Sequence, residues 1–171
     1  IVALFAILVY SISDTIFDIE KPHTIAFVND KAISAGALIS VACDEIIMTR
    51  GSEIGDCQVV STGGEKVGSE KIDTVLRARF RSFCRDKYPL ALAEAMVTQE
   101  IEVYRVTTRD GKTEYLTGKE WTNLTAAKRA RYVPGSEEMI LDGTRLLTMT
   151  DAEAKQYGFS TATVKGRDGL F

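Results

Sequence analysis

Residues 33–43 read ISAGALISVAC, a stretch in which every side chain is small or apolar. The composition predicts a helix without a polar face, and such a helix belongs inside a protein. A buried strand is predicted on each side of it, over residues 24–28 and 45–49, with a turn at 29–31. A buried helix between two buried strands indicates an α/β domain with a parallel sheet.

The rest of the chain continues this alternation of helices and strands. Helices are predicted over residues 70–86, 90–97 and 118–131. A β-hairpin is predicted at 102–116, because apolar and polar residues alternate on both sides of Asp110-Gly111. Near the C-terminus, Thr150 and Glu153 have the spacing of a capping box that starts a helix, and Gly158 is placed to end it.

The N-terminal residues are open to more than one interpretation. Residues 1–10 are all apolar, but a bilayer span needs roughly 18 or more such residues. The alternatives are a buried strand, the remnant of a membrane segment and a core helix, and we favour a core strand that runs into a helix over 12–20. We expect residues 1–171 to form a single domain of a longer chain, with 102–116 as an inserted hairpin.

Composition excludes several function classes. The 171 residues are 45% hydrophobic and 26% charged, which are ordinary values for one globular domain. The net charge of -3 gives no electrostatic footprint for nucleic acid. One His and three scattered Cys cannot supply a four-ligand zinc site of the usual spacing, so no metal site and no cofactor are predicted. A histidine mechanism would have to use His23.

Ser34 is the first candidate for chemistry. It follows a strand and a turn and stands at the start of the apolar helix, where backbone N–H groups lack partners and the helix dipole favours negative charge. A nucleophile beside such donors is the arrangement that acyl transfer requires. The alternative is that Ser34 only caps the helix, which is a common role for serine.

Lys71 is the candidate base. It lies in the first turn of the helix predicted from residue 70, where the helix dipole and burial would both lower its pKa. The alternative is a solvated lysine beside Glu70 and Asp73. His23 lies in a turn before a strand and is interpreted as exposed, and the three cysteines are interpreted as core residues.

Four segments together carry a resemblance to a known family. They are Ala26–Ile39 with its Ser-Ala-Gly core, Ala42–Met48, Gly51–Gly55, and Leu147–Gly158. The chain resembles the Clp protease and crotonase superfamily and, within it, the membrane-bound serine protease domain of NfeD-type proteins, partners of stomatin-like proteins. The resemblance covers roughly residues 24–100 and returns at the last of the four segments.

The resemblance implies a fold and a site. The fold would be Clp protease/crotonase-like, with stacked βα units and a parallel sheet. Ser34 would be the nucleophile of a Ser-Lys dyad with Lys71, which lies 37 residues further on behind a glycine-rich loop, and Lys66 is the fallback. The N–H of Ala35 would be one oxyanion donor. An extended substrate would bind along residues 54–58 by strand addition, with Gly36, Gly55, Asp56 and Cys57 as the substrate-binding residues.

The function implied by this resemblance is that of a serine endopeptidase that cleaves apolar segments of membrane-associated proteins. Its partners would be a peptide or protein substrate, such as a stomatin-like membrane protein, and further copies of itself in a dimer or larger oligomer. The full-length protein would be membrane-associated, with this domain soluble and on the extracytoplasmic side.

Two alternatives from other classes stay open. A crotonase-like acyl-CoA enzyme would use the same backbone donors for a thioester enolate, but it needs glutamates facing the pocket and only Glu53 is a candidate. A catalytically inactive, protease-like binding scaffold is the second alternative. It is supported by a departure from the family pattern, because the second oxyanion donor should be a glycine upstream of the serine and no glycine precedes Gly36.

Overall fold

The computed structural model of the chain describes residues 2–57 and 70–170, and the side chains of residues 8–57 and 74–169. The helices are α1 (Val2–Phe17), α2 (Ala35–Ala42), α3 (Glu70–Cys84), α4 (Leu90–Ala95), α5 (Gly118–Thr122), α6 (Ala126–Arg129) and α7 (Asp151–Gln156), with a 3-10 helix at Arg167–Leu170. The strands are β1 (Ile25–Val28), β2 (Lys31–Ile33), β3 (Glu45–Thr49), β4 (Glu53–Gly55), β5 (Glu102–Thr107), β6 (Thr113–Thr117), β7 (Glu138–Asp142), β8 (Thr148–Thr150) and β9 (Ala162–Val164).

The two strands predicted around the apolar stretch pair with each other in a parallel sheet. The strand order is β1-β3-β9, and Ile25 lies opposite Glu45 in the register of the first pair. The central strand β3 is the most buried of the three, with Ile46 and Met48 fully inaccessible to solvent. The predicted α/β fold with a parallel sheet is therefore confirmed.

Helix α2 lies in the core, as its composition predicts. Ala37 and Val41 are fully buried and Leu38 is 1% exposed. Helix α1 packs on one side of α2, and α2 also contacts α3 and the strands that precede and follow it. The helix begins at Ala35, two residues later than the apolar stretch itself, because Lys31–Ile33 form a short strand that the sequence analysis did not predict.

That short strand belongs to a second sheet, which positions the start of α2. The order is β2-β4-β8, with β2 parallel and β8 antiparallel to the central β4. Ile33, the last residue of β2, lies opposite Gly55, the last residue of β4. The next residue, Ser34, therefore leaves the sheet beside the end of β4 and leads directly into α2.

The predicted β-hairpin is confirmed and is part of a larger sheet. β5 and β6 pair antiparallel from Val103–Thr117 to Thr107–Thr113, and β7 pairs with the other edge of β5. Val103 and Val106 of β5 are fully buried, whereas helix α5 packs against both hairpin strands. The predicted hairpin at 102–116 is thus two strands of a three-stranded antiparallel sheet.

The C-terminal capping box is also confirmed. The Glu153 N–H donates to the Thr150 hydroxyl at 3.3 Å, and the Glu153 carboxylate accepts from the Thr150 N–H at 2.9 Å. Helix α7 follows directly, and Gly158 adopts a φ of 80° after the helix end. Glycine takes this left-handed conformation without the steric cost of a Cβ.

Two predicted elements are wrong. The N-terminal residues form no strand, because Val2–Phe17 is one continuous helix, and an apolar run of that length has no periodicity that separates strand from helix. The single helix predicted over 118–131 is two short helices, since the Thr125 hydroxyl accepts from the Lys128 N–H and starts α6 anew. In the described part of the chain, no helix combines the length and apolar character that crossing a bilayer requires.

Lys87 closes the C-terminal end of α2. Its Nζ donates to the carbonyls of Val41 at 3.0 Å, Ala42 at 3.4 Å and Cys43 at 2.7 Å. The last carbonyls of a helix have no intrahelical partner, and a cation there also interacts favourably with the helix dipole. Partial burial lowers the pKa of Lys87, which nearby Cys84 and Asp44 partly offset. A lysine at this end of α2 is a structural cap.

Replacing this cap should destabilise the protein. We expect Lys87→Met to lower the free energy of unfolding by about 1–3 kcal/mol, because partly buried carbonyls lose a charge-assisted donor. Urea unfolding followed by circular dichroism measures the change. Lys165→Met is the matched control, since Lys165 is exposed and outside any helix, and it should shift stability by less than about 0.5 kcal/mol. Equal effects of the two variants would contradict the capping role.

Candidate active site

Ser34 has an unusual backbone conformation. Its φ of 56° and ψ of -115° place it in the region of the first central residue of a type II′ turn, which is dominated by glycine. A residue other than glycine at such a position carries backbone strain of order 1–3 kcal/mol. The residue is exposed at the junction between β2 and α2. A serine held on a strained strand-to-helix turn with its hydroxyl exposed is the arrangement of a nucleophile elbow.

The hydroxyl of Ser34 does not cap the helix. Three threonines in the same chain do cap helices, with φ between -63° and -69° and the side chain accepting a backbone N–H, and they are Thr117, Thr125 and Thr150. Ser34 occupies the N-cap position of α2 but makes no such side-chain bond. The cap interpretation of Ser34 is therefore wrong, and within the described parts of the chain its hydroxyl has no hydrogen-bond partner.

The Ser34 turn is held by the end of β4. The Ser34 N–H is shared between the carbonyls of Gly55 at 3.2 Å and Asp56 at 3.0 Å. The Cys57 thiol lies 3.6 Å from the carbonyl oxygens of Ser34 and Gly55. Gly55 itself is packed so closely that a Cβ would lie 2.2 Å from the Leu147 carbonyl oxygen. The position of the serine thus depends on a glycine that is 21 residues away in sequence.

The proposed oxyanion donor also lies at this turn. Ala35 opens α2, so its N–H has no intrahelical acceptor, and no acceptor for it occurs among residues 2–57 and 70–170. Gly36 follows in the first turn, and a Cβ there would meet only the Cβ of Ala32 at 3.6 Å. A contact at this distance is ordinary, so packing does not require glycine at position 36. Because Gly36 has no side chain, it does not cover the N–H groups at the start of α2.

The residues expected to bind substrate have different exposures. The Asp56 side chain is exposed, with a φ of 39°, whereas Cys57 is 2% exposed. Burial raises the pKa of the Cys57 thiol well above its ordinary value, so this cysteine stays protonated and lines no open groove. Cys57 is a core residue, as the sequence predicts for a small cysteine, and its side chain is closed to a ligand in this structure.

Strand addition along residues 54–58 is restricted by the sheet. β4 is the central strand, with β2 on one edge and β8 on the other, so its edges are occupied up to Gly55. Beyond it, the N–H of Asp56 donates to Leu147 and that of Cys57 to Met96. A substrate strand could therefore pair only from residue 58 onward, and residues 58–69 lie outside the described part of the chain.

His23 lies at the wrong end of α2 to serve Ser34. Its imidazole Nε2 is 3.3 Å from a Glu45 carboxylate oxygen, and its Nδ1 is 3.7 Å from one of Asp44. Both carboxylates follow the C-terminal end of α2, whereas Ser34 precedes its N-terminal end. An eight-residue helix is about 12 Å long. The interpretation of His23 as an exposed turn residue is confirmed.

The predicted base, Lys71, is described by its backbone alone. The backbone of Lys71 lies in the first turn of α3, as predicted, but its side chain is outside the described residues, and Lys66 is outside them altogether. Lys87, a half-buried lysine that the structure does describe, caps the far end of α2. Within the described residues, no cluster of three or more His, Cys, Asp or Glu side chains could hold a metal ion.

The role of Gly55 and Asp56 in holding the Ser34 turn is not predicted from the sequence. Nothing in the sequence shows that Ser34 has a positive φ, or that its N–H is bonded to Gly55 and Asp56. The one available signal was the Gly-Asp pair directly after a short strand, since both residues tolerate unusual backbone conformations. It was interpreted as a substrate-binding edge instead of a support for the serine.

A solved structure shares this fold, and a second one aligns with this chain less closely. A serine-to-alanine mutant of the 1510-N membrane-bound stomatin-specific protease superposes with a TM-score of 0.59 at 19% identity, over 95% of this chain and 59% of that one. A lysine-to-alanine mutant of the 1510-N membrane-bound stomatin-specific protease, in complex with a substrate peptide, gives 0.48 at 18% identity, over 82% and 45%. The chain thus spans somewhat more than half the length of the first structure. No curated protein is significantly similar in sequence.

A family model describes the same region. The model of the NfeD1b N-terminal domain matches residues 9–142. These residues include the serine turn, α2, strands β1 to β4 of the two sheets around α2, and the antiparallel sheet of β5, β6 and β7. This match covers most of the chain. The protein belongs to the NfeD1b N-terminal domain family.

Proposed function

We propose that this chain is a serine endopeptidase domain in which Ser34 is the nucleophile. The observation that carries the proposal is the conformation of Ser34, a strained residue at a helix start whose hydroxyl makes no capping bond. Strain of this kind persists only where the surrounding structure enforces it, and it concentrates at active sites. The fold shared with a stomatin-specific protease supports the same assignment.

Lys71 is proposed as the base of the dyad. The neutral amine would take the hydroxyl proton of Ser34, and the oxygen would attack a peptide carbonyl to form a tetrahedral adduct. The N–H of Ala35 would donate to the oxyanion. The adduct then collapses, the C–N bond of the substrate breaks, and the leaving amine takes the proton from Lys71. This leaves an acyl ester on Ser34, which water then hydrolyses.

The described residues support a lysine of α3 over the other candidates. Lys87 and His23 both lie beyond the C-terminal end of α2, on the side away from Ser34. Helix α3 packs against α2, and Lys71 belongs to its first turn. Arg79 also fixes α3 to α1 through a bidentate pair with Asp14, at 3.0 and 2.8 Å, and lies over the Tyr10 ring.

A structural relative supports a proposal for the substrate class. We propose apolar segments of membrane-associated proteins, such as a stomatin-like protein, as substrates, since a structural relative is a stomatin-specific protease. The domain would work in an oligomer and within a membrane-associated full-length protein, on its extracytoplasmic side. Gly55 and Asp56 would act by holding the serine turn, with substrate pairing further along the chain.

A binding scaffold without catalytic activity is the second candidate function. The observation that favours it is that residues 1–35 contain no glycine, although the family pattern places the second oxyanion donor at a glycine upstream of the serine. Loss of one such donor costs about 10²–10³ in rate. A scaffold would retain peptide binding while Ser34 stays inert towards a serine-reactive probe. Acyl-CoA binding with an inert Ser34 would instead favour the crotonase-like alternative.

The dyad can be tested by acylation of Ser34. We expect a fluorophosphonate probe to label the protein, and Lys71→Ala to slow labelling by about 10²–10⁴-fold, the usual contribution of a general base. Lys66→Ala is the matched control and should change the rate less than twofold. The rate should rise towards alkaline pH in the parent protein, because the neutral amine is the active form. The reverse ranking of the two variants would assign the base to Lys66, and two unaffected variants would refute the dyad.

A further inference from the structure

A cavity of about 400 Å³ opens on the antiparallel sheet, in the part of the molecule formed by residues 109–137. Its walls come from helices α5 and α6 and from the segment after α6. The lining combines apolar and charged side chains: Trp121, Tyr132, Val133 and Pro134 with Arg109, Arg129 and Glu137. Volumes of about 300–1,000 Å³ are typical of ligand pockets. The proposed peptidase mechanism uses none of these residues.

The cavity is rigidly built. Tyr132, which lines the cavity, is 5% exposed, and its hydroxyl donates to the Glu114 carboxylate at 2.8 Å. The segment after α6 is fastened to the hairpin by two backbone bonds, from Val133 to Thr107 and from Arg109 to Arg131, both of 2.8 Å. The walls are therefore set by backbone pairing and capped helices.

Two guanidinium groups on the cavity wall are oriented but have no carboxylate partner. Arg129 stacks over the Trp121 ring at 4.3 Å and donates to the Trp121 carbonyl at 2.6 Å. Arg109 donates through Nε to the Ala130 carbonyl at 2.7 Å. Across the described residues, neither forms an ion pair, whereas nearby Arg105, Lys112 and Arg131 all do. Each held guanidinium keeps further N–H donors for an anion.

Local charge reinforces this arrangement. Residues 109–137 carry six basic and four acidic side chains, a local net charge of +2 in a chain whose total is -3. Glu137 is the acidic residue in the cavity lining. Trp121 forms an edge-on contact with Tyr132, which leaves an aromatic wall beside the cations. Such a wall suits an apolar side chain next to the anionic group.

We propose that this cavity binds an acidic peptide segment of a partner protein. A carboxylate side chain of the peptide would accept from Arg129 and Arg109, since guanidinium groups match carboxylates geometrically. A neighbouring apolar residue of the peptide would pack on Trp121 and Val133. The site is separate from Ser34, so it gives the domain a docking function that stands whether or not the chain is a peptidase.

The location of binding can be read directly, because Trp121 is the only tryptophan among the 171 residues. The 171-residue chain is titrated with the acetylated, amidated peptide Glu-Leu-Asp-Leu and with its uncharged twin Gln-Leu-Asn-Leu. We expect the acidic peptide alone to shift the tryptophan emission in a saturable way, with affinity that falls as salt is added. Acetate or phosphate producing the same shift would mean that the site takes a free anion only, and would overturn the peptide assignment.

Affinity is measured separately by anisotropy of the same peptides carrying a rhodamine label. We expect Arg129→Gln and Arg109→Gln each to weaken binding about tenfold or more, because each removes a charge-assisted bidentate partner. Lys128→Gln is the matched control, since Lys128 carries the same charge beside Arg129 but does not line the cavity, and it should change affinity less than threefold. Equal losses in all three variants would indicate general electrostatic attraction and refute the site. Thermal unfolding of each variant confirms that it is folded, and Arg109→Gln keeps the Trp121 stack intact.

Discussion

Replacing Ser34 by alanine should reduce acylation and peptide cleavage by about 10⁴-fold or more, because removal of the nucleophile of a hydrolase leaves only the contribution of the oxyanion donors and of substrate binding. The backbone of the variant should stay as it is, since the Ser34 N–H, which bonds to Gly55 and Asp56, is retained. The measurements are fluorophosphonate labelling and cleavage of an apolar peptide. Persistent cleavage by Ser34→Ala would refute the assignment of Ser34 as nucleophile.

Ser34→Gly is the matched variant that separates catalysis from strain. Both variants lack the hydroxyl, but only glycine adopts a φ of 56° and a ψ of -115° without steric cost. We therefore expect Ser34→Gly to be inactive and yet more stable than Ser34→Ala by about 1–2 kcal/mol in urea unfolding. A stability difference between two equally inactive variants isolates the backbone strain at position 34 from the loss of the hydroxyl. A glycine variant no more stable than the alanine variant would contradict the strain argument.

The parts of the fold that sequence predicted correctly are those specified by local chemistry. The apolar composition of residues 33–43 indicates burial, Asp110-Gly111 predicts the hairpin turn, and the spacing of Thr150 and Glu153 predicts a capped helix. Each signal rests on neighbours within a few residues. The continuous helix over Val2–Phe17 was missed because an apolar run gives no periodicity to distinguish its conformations.

The candidate site was predictable only in part, because its geometry rests on long-range contacts. Ser34 and the Ala35 N–H follow from a strand-to-helix junction that sequence can locate. The backbone conformation of Ser34 depends on Gly55, which in turn is pressed against β8. No local pattern reports that pairing, and so Cys57 and Asp56 were both assigned to substrate when only Asp56 is exposed.

Gly55→Ala should be the most destabilising single substitution that the described structure suggests near the site. The new Cβ would lie 2.2 Å from the Leu147 carbonyl oxygen and 2.8 Å from the Thr148 Cα, which are backbone atoms at the start of the paired strand β8. The φ of 141° is also a conformation that residues with a side chain rarely adopt. We expect a loss of about 4 kcal/mol or more in the free energy of unfolding, a large share of the 5–15 kcal/mol typical of a domain. Urea unfolding at fixed pH measures it.

The matched control for that substitution is Gly51→Ala. Gly51 also has a positive φ, of 82°, but a Cβ there would have no atom within 4 Å, so only the backbone conformation is penalised, by about 1 kcal/mol. Relieving the clash at position 55 requires β4 and β8 to shift relative to each other, and because β4 lies between β8 and β2, such a shift changes the distance from the Gly55 carbonyl to the Ser34 N–H. Folded Gly55→Ala molecules should therefore label with a fluorophosphonate more slowly than the parent protein, whereas Gly51→Ala should label at the parental rate. Equal labelling by both would mean that Ser34 keeps its conformation without Gly55, and the turn would then have to be enforced by α2 alone.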